Sequence, residues 1–296
     1  MSQTWFNKFN FIRVYIYQRY VIKQLKDLDK IQIADSFTTV RKIVNEKASI
    51  ARFGDGELKL LYGQDTDFQK ADKRIVKKLR EILVKETPGL LIGLPYPWKH
   101  LTPLKYRAIE YWWSYLCANF EYKIYPFLFN RHYYDASFTR FYIDYRSSKH
   151  AKRLIPEITK IWDGRNICII EGEYSRLGVG NNLFNNARSI RRILCPSKNA
   201  FSVYDSIIDE ATKNPNDTLF LIALGMTATC LAYDLHLLGF QTIDIGHIDV
   251  EYEWFLMGAK NKVALPNKNV AESIDNNPVK DIHDEKYLSE IIAVIK

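Results

Sequence analysis

From about residue 149 onward, hydrophobic positions fall into a repeating order in which short apolar runs alternate with longer stretches of helical spacing. The pattern predicts a helix over about 150–162, a strand from Asn166 to Ile170, a helix over about 182–190 and a short strand Ile193-Leu194-Cys195. A helix over about 204–213, a strand from Leu219 to Leu224, a helix from Thr227 to Leu238, a strand from Thr242 to Ile245 and a helix from about 250 follow. Strands alternating with helices in this way build a mostly parallel sheet covered on both faces. Upstream, Asp35-Ser36 offers an N-cap for a helix over Thr39 to Val44, which leads into a buried strand from Ser49 to Phe53. Leu58, Leu60, Leu61 and Tyr62 suggest a short helix; Ile75, Leu79, Ile82 and Leu83 form one helical stripe; and Leu90 to Leu94 is a strand closed by Pro95 and Pro97. An aromatic helix is expected over about 101–121, with Trp112, Trp113 and Tyr115 on its buried face.

Three stretches have less regular patterns. Residues 123–146 are crowded with Tyr, Phe and Arg without a clean period and are expected to form a wall or lid over a site. Pro266 to Asp281 looks like an irregular surface linker before a last short helix from Tyr287 to Val294. Residues 5–28 interleave Trp, Phe, Tyr and Ile with Lys and Arg, the composition of an amphipathic helix that packs on protein or lies on an anionic membrane. The expected organisation is therefore a basic aromatic arm over residues 1–34, helical in character, and a single Rossmann-like α/β domain over 35–296.

At 296 residues, 47% of them hydrophobic and 26% charged, the chain is long enough for one large well-packed core. The net charge of +8 points to an anionic partner. The basic residues are scattered, without an arginine-rich run, zinc-finger spacing or RNA-binding aromatic signature, so nucleic acid is not the expected partner. Four dispersed cysteines without C-x-x-C spacing read as buried reduced thiols of a cytosolic protein. No apolar run reaches the length of a membrane span, and the charged residues within 5–25 argue against a signal peptide.

Candidate chemistry gathers where strands end, which is where parallel sheets bind ligands. After the first strand, Arg52-Phe53-Gly54-Asp55-Gly56-Glu57 carries two carboxylates. In an extended backbone both point the same way, and Gly54 and Gly56 allow close approach of a ligand. Such a pair suits Mg²⁺ or Mn²⁺ bridging phosphate oxygens. The later cluster Asp244 to Trp254 repeats this logic: His247 could be a metal ligand or phosphate contact, and Asp249 an N-cap or a base. The loop from Glu171 to Asn182 holds Arg176, Gly178, Gly180 and Asn181, whose N–H groups and guanidinium could cradle a pyrophosphate, although Leu183 stands where a dinucleotide fingerprint needs its third glycine. Leu224-Gly225-Met226-Thr227 opens a helix with Thr227 as the expected N-cap, and anion binding there is no better supported than an ordinary capped turn. The sequence lacks a Walker loop, an H-E-x-x-H motif and a G-x-S-x-G elbow.

Ala51 to Glu57, Glu171 to Asn182, Asn186 to Ile190 with Ile193 to Pro196, and Ile243 to Asp249 with Glu251 to Trp254 occur together in this order. Over about residues 35–260 they resemble the GT-D family of bacterial glycosyltransferases. The resemblance implies a GT-D-type Rossmann-like fold, a nucleotide-sugar donor with UDP-glucose as the prototype, Mn²⁺ (or Mg²⁺) dependence, and a D-x-E motif that falls on Asp55 and Glu57. Metal ligation is then expected from Asp55 and Glu57 with His247 and Glu253, added charge at the diphosphate from Arg52, Arg176 or Arg188, and, for an inverting transfer, a base role for Asp249; a retaining transfer could proceed without a protein base. The chain departs from the family's G-P-T-A-T turn at Met226. The implied activity is hexosyl transfer, glucose first, to a glycan, glycolipid or glycoprotein acceptor in bacterial surface polysaccharide or glycoprotein assembly. A cytoplasmic location is expected, with residues 5–28 able to touch the inner membrane face, and a homo-oligomer is compatible with it. The rival readings are a metal-dependent phosphotransferase or phosphohydrolase and a non-catalytic carbohydrate-binding assembly protein.

Overall fold

A nine-stranded sheet, parallel throughout, forms the middle layer of the computed structural model, which describes residues 25, 27–128, 132–268, 270 and 283–296. The strands are β1 (Gln32–Ile33), β2 (Ser49–Arg52), β3 (Leu90–Leu94), β4 (His132–Asp135), β5 (Asn166–Gly172), β6 (Ser189–Cys195), β7 (Leu219–Ala223), β8 (Gln241–Asp244) and β9 (Ile291–Val294). Their spatial order is β1-β4-β3-β2-β8-β7-β5-β6-β9. Because every pairing is parallel, all carboxyl ends lie along one edge.

Alternation along the central strands explains the two covered faces. In β5, Cys168 and Ile170 face one core and Ile167 and Ile169 the other; in β7, Phe220 and Ile222 share the first core and Leu219 and Leu221 the second. The first core receives α2 (Asp55–Leu61), α3 (Lys73–Val84), α4 (Tyr106–Asn119), α6 (Tyr204–Ala211) and α7 (Met226–Leu237). The second receives α1 (Ser36–Glu46), α5 (Lys149–Thr159) and the start of α8 (Ile248–Met257). Helix α3 illustrates the local logic. Asp72 accepts the N–H groups of Arg74 and Ile75 at its start, and the predicted stripe Ile75, Leu79, Ile82 and Leu83 is fully buried.

The structure corrects several sequence expectations. No helix forms over 182–190; β6 begins at Ser189 and pairs with β5 along seven residues. Asparagine side chains take up backbone groups instead: Asn181 Oδ1 accepts the N–H of Leu183, two residues on, and Asn186 Nδ2 donates to Thr159 O. The final segment is divided into α9 (Glu285–Glu290), capped by Asp284, and β9, which pairs with β6. Part of the irregular 123–146 stretch is β4, which places it inside the sheet. Of the arm expected over residues 1–34, the described part packs on the domain. Leu25, Leu28, Ile31 and Ile33 are buried in the first core, and β1 pairs with β4. Residues 1–24, which carry most of the proposed membrane-facing arm, lie outside the described residues. Of the cysteines, Cys168, Cys195 and Cys230 are buried as expected, but Cys117 is exposed. Among the described residues no helix is long and apolar enough to cross a membrane.

Candidate active site at the carboxyl edge of the sheet

Arg52, the last residue of β2, ties three elements together. Its Nη2 donates to Asp244 Oδ1 at 2.8 Å, while Nη1 donates to Ala136 O at 2.8 Å and Thr139 Oγ1 at 2.5 Å. The planar fork of a guanidinium suits this divergent arrangement. Burial raises the Asp244 pKa, and the Arg52 charge and hydrogen bond pull it back. Gly246 completes the junction: its φ is +43°, and a Cβ there would overlap Arg52 Nη2. Arg52 is thus a buried tie that frames the site from beneath, not a guanidinium extended toward a diphosphate.

Asp55-Gly56-Glu57 forms the first turn of α2, not an extended segment. The expected convergence of both carboxylates does not occur, because residues two apart on a helix point in different directions. Glu57 folds back so that Oε2 accepts the Gly54 N–H at 2.7 Å, the half of a capping box that a glycine N-cap permits. Burial, then the charges of Asp244 and Asp55, push its pKa up to about 7 despite two backbone hydrogen bonds. Asp55 stays at the rim, its side chain 37% exposed. Its Oδ2 accepts Tyr111 Oη at 2.7 Å and Lys59 Nζ at 3.0 Å. Burial raises the Asp55 pKa, but these bonds and the charges of Lys59 and Arg140 outweigh it and hold the group below its ordinary range. Gly56 makes room for the neighbouring turn: a Cβ would lie 2.9 Å from Met226 Sδ, so the residue that departs from the family turn packs directly on the D-x-E motif.

The glycine-bearing loop is occupied with a different task. Gly178 has φ +76° and donates its N–H to Asp249 Oδ1 at 2.8 Å. Asn181 Nδ2 bonds both Asp249 Oδ1 and Glu253 Oε1 at 2.7 Å, and Lys268 Nζ bonds Asp249 Oδ2 at 2.7 Å and Glu253 Oε1 at 3.0 Å. Asp249 is buried with three donors around it, and Glu253 shares the Lys268 charge. Asp249 therefore lacks the free, solvent-facing lone pair that the expected base role requires, and Glu253 is drawn away from a metal role. Arg176 is 4% exposed and donates to Asn267 O, so it anchors the loop to the segment around Lys268. Gly180, with φ +79°, has open space at its Cβ position. Glu171 is also structural: it pairs with Arg192 at 2.6 Å, and Arg192 continues to Glu290 at 2.7 Å.

The other expected site residues separate by position. His247 follows β8, half-buried, in the N-cap position of α8 and beside Asp244 and Gly246 in sequence. Thr227 is not the N-cap of α7; Gly225 is, with φ +52°, while buried Thr227 donates to Gln69 Oε1. Thr229 Oγ1 instead reaches Arg52 O at 2.8 Å and locks α7 onto β2. Arg188 precedes β6 and lies at the amino edge, where its N–H donates to Arg165 O. A seven-residue strand separates it from the carboxyl edge by roughly 20 Å, too far for a shared site with Asp55. The structure brings Arg52, Gly54, Asp55, Gly56, Glu57 and the His247 turn to the tips of neighbouring β2 and β8, while Arg176, Gly178, Asn181, Asp249 and Glu253 gather around Lys268.

A family model for the glycosyltransferase GT-D fold matches residues 50–273. The chain belongs to this family. It is 37% identical over 282 residues, 94% of its length, to glycosyltransferase GlyD of Streptococcus pneumoniae, and 36% identical over 253 residues, 85% of its length, to the probable glycosyl transferase Gly of Streptococcus gordonii. It spans about a third of the length of these curated relatives: 34% of the first and 37% of the second. Among solved structures, it superposes with a TM-score of 0.88 and 35% identity on a domain of unknown function 1792 described as having a distinct glycosyltransferase fold, covering 92% of this chain and 98% of that one. A second, described as a new glycosyltransferase from Streptococcus sanguinis, gives a TM-score of 0.85 and 35% identity, covering 90% of this chain and all of that one.

Within this family member, the sequence reading missed Asp244 as the partner of Arg52, Tyr111 and Lys59 as the partners of Asp55, and Lys268. A signal existed for Lys59, which lies four residues after Asp55 on a predicted helix. None existed for Lys268, which lies in a stretch without periodicity.

Glu251 carries a pH prediction. Its Oε2 accepts the Tyr142 and Ile143 N–H groups at 2.9 and 3.0 Å, while buried Oε1 has no hydrogen-bond partner among the described residues. Burial pushes its pKa up from about 4.5 to about 7, against the opposing Arg140 charge. The folded state therefore keeps a proton that the unfolded chain has lost, so this group lowers stability as pH rises from about 4.5 through 7. Glu57, at about 7, and Asp135, at about 6, act in the same direction, whereas His150, pushed down to about 4 by burial, lowers stability as pH falls below its ordinary range. Glu251→Gln retains an acceptor for both N–H groups and cannot ionise. Thermal melts from pH 5 to 8 should show a smaller loss of Tm for the variant than for the parent; parallel curves would remove Glu251 as a source of the slope.

Proposed function

We propose that this chain is a metal-dependent hexosyltransferase that moves a hexose, glucose first, from a UDP-sugar to a hydroxyl of a glycan or glycoconjugate in bacterial surface polysaccharide or glycoprotein assembly. The observation that carries this reading is the position of Asp55: a half-exposed carboxylate in the first turn of a helix, beyond the carboxyl end of a central parallel strand, in a chain of the GT-D family. In the transfer, the acceptor oxygen bonds the anomeric carbon as the bond from that carbon to the diphosphate breaks. The bonding pair leaves with the diphosphate, which also takes up the hydroxyl proton.

The residues fit a divalent ion in a limited way. Among the described residues, no three His, Cys, Asp or Glu side chains gather as a ready-made metal site. Mg²⁺ and similar ions at phosphate substrates, however, use one or two carboxylates and complete their shell with phosphate oxygens and water. Asp55 is the exposed oxygen donor for that arrangement, and the crowding of Glu57 by Asp244 and Asp55 marks a locally negative environment that a cation would offset. When bound, the ion supplies charge neutralisation at the diphosphate. Arg52 holds the tips of β2 and β8 together, and Lys59 adds a positive charge at the rim.

The test is release of UDP from UDP-glucose with and without Mn²⁺, alongside a thermal-shift panel of nucleoside diphosphate sugars. Metal-dependent release and a rise in Tm with a UDP-sugar are expected, because a ligand of the native state stabilises it by mass action. Phosphate release from simple phosphate esters, with no response to any nucleotide sugar, would favour a phosphohydrolase instead.

A further inference from the structure

The amino edge of the sheet holds a cavity of about 430 Å³ that the mechanism above does not use. It opens where the central strands begin: Lys47 lies two residues before β2, Arg165 directly before β5 and Arg188 directly before β6, while Gln241 starts β8. The cavity is thus where the structure places Arg188, the residue expected beside the diphosphate at the other edge. Three cations line it against one carboxylate, Asp217. These cations are held in place but not neutralised. Arg165 is half-buried, and its Nη1 donates to a neutral acceptor, Gln241 Oε1, at 2.8 Å. Gln241 is fixed in turn, because its Nε2 donates to Ala48 O at 3.1 Å and Ile43 O at 3.3 Å. Burial lowers the Arg165 pKa, and the charge of Asp217 offsets this only in part. Among the described residues, the side chains of Arg188 and Lys47 have neither a hydrogen bond nor an ion pair, and Arg165 has no ion pair. A half-buried cation without a counter-charge carries a desolvation cost that a bound anion offsets.

We propose that this cavity binds a phosphate monoester of a sugar, with the phosphoryl group at Arg165 and Arg188 and the hydroxylated body toward Asp217. The two arginines are neighbours by construction. Arg188 N–H donates to Arg165 O at 2.8 Å, and the next residues, Asn166 and Ser189, open the paired strands β5 and β6. Guanidiniums borne on adjacent strands offer the planar donor pairs that suit phosphate oxygens, and Lys47 adds a third positive charge. Asp217 is what selects a sugar ester over a bare polyanion. A carboxylate repels further negative charge but accepts hydroxyl O–H groups, and the amides of Asn166 and Asn216 beside it take hydroxyls in either sense. The volume is that of a small-molecule site. The cavity is separate from the donor end: β5 is seven residues long, which puts the two edges roughly 20 Å apart. Its occupant is therefore a second ligand, not the sugar undergoing transfer.

The probe is glucose 6-phosphate, whose phosphate is not on the anomeric carbon and so does not mimic a UDP-sugar. Its binding to the full chain, without metal or donor, is measured by titration calorimetry beside inorganic phosphate and glucose. Saturable binding is expected, at least tenfold tighter than for either comparator. Arg188→Glu and Lys47→Glu each reverse an exposed charge, so the fold tolerates them, and a thermal melt of each variant verifies this. Each should weaken binding at least tenfold, whereas Asp55→Asn, at the other edge, should leave the affinity for glucose 6-phosphate unchanged. No binding by the parent overturns the proposal. Binding that survives either charge reversal, or that Asp55→Asn abolishes, also overturns it, because the ligand then sits elsewhere. Equal affinities for inorganic phosphate and glucose 6-phosphate would reveal an adventitious anion site only, and overturn it as well. None of these outcomes depends on whether the chain cleaves UDP-glucose, so the two readings fail separately.

Discussion

Asp55→Asn is expected to reduce metal-dependent cleavage of UDP-glucose by about 10²–10³-fold, the usual size of the loss when a preorganised electrostatic group is removed from a site of charge development. The variant should remain folded. Asn retains an oxygen that accepts from Tyr111 and Lys59, and Asp55 lies at the rim with its side chain 37% exposed. Only the negative charge and the second carboxylate oxygen are lost, and these are what a divalent ion and its bound diphosphate would need. Initial rates across a Mn²⁺ titration, paired with a thermal melt, check the prediction. Turnover at the parent rate at saturating Mn²⁺ would remove Asp55 from the mechanism.

Arg52→Leu should have the largest effect on stability. It strands Asp244, a carboxylate 5% exposed, and leaves Ala136 O and Thr139 Oγ1 without their donor. Breaking a buried pair in this way costs about 3–5 kcal/mol. For a domain of this size, that corresponds to a fall in Tm of about 10 °C. Adding Asp244→Asn to Arg52→Leu should recover part of the loss, since it removes the isolated charge; a double variant no more stable than the single would show that the destabilisation arises from packing around Gly246 instead.

These two residues show how differently the D-x-E stretch can be read before and after folding. As a sequence, Arg52 and the carboxylates after it form one charged cluster at a strand end. In three dimensions Arg52 is turned inward to Asp244, Glu57 caps its own helix, and Asp55 alone of this group stays at the rim. The cause is the helix that begins at Asp55: a period of 3.6 residues separates side chains that a period of two would have aligned. Asp249 and Glu253 offer a parallel case. Their acidity was visible, but not Lys268, the residue that neutralises them from a segment without hydrophobic periodicity.

Hydrophobic spacing alone determined the alternation of strand and helix, the two-faced burial of β5 and β7 and the stripe of α3. Each of these depends on contacts between near neighbours or on a face that any core would claim. Only the tertiary structure decided which charges meet. It replaced the expected 182–190 helix with a full-length β6, packed Leu25, Leu28, Ile31 and Ile33 into the first core, moved Arg188 to the far edge and put Tyr111 of α4 beside Asp55. Pairings such as Tyr111 with Asp55 or Arg52 with Asp244 join residues 56 and 192 positions apart. No local pattern records such pairs, because the energy that selects them comes from burial and charge after the layers have packed.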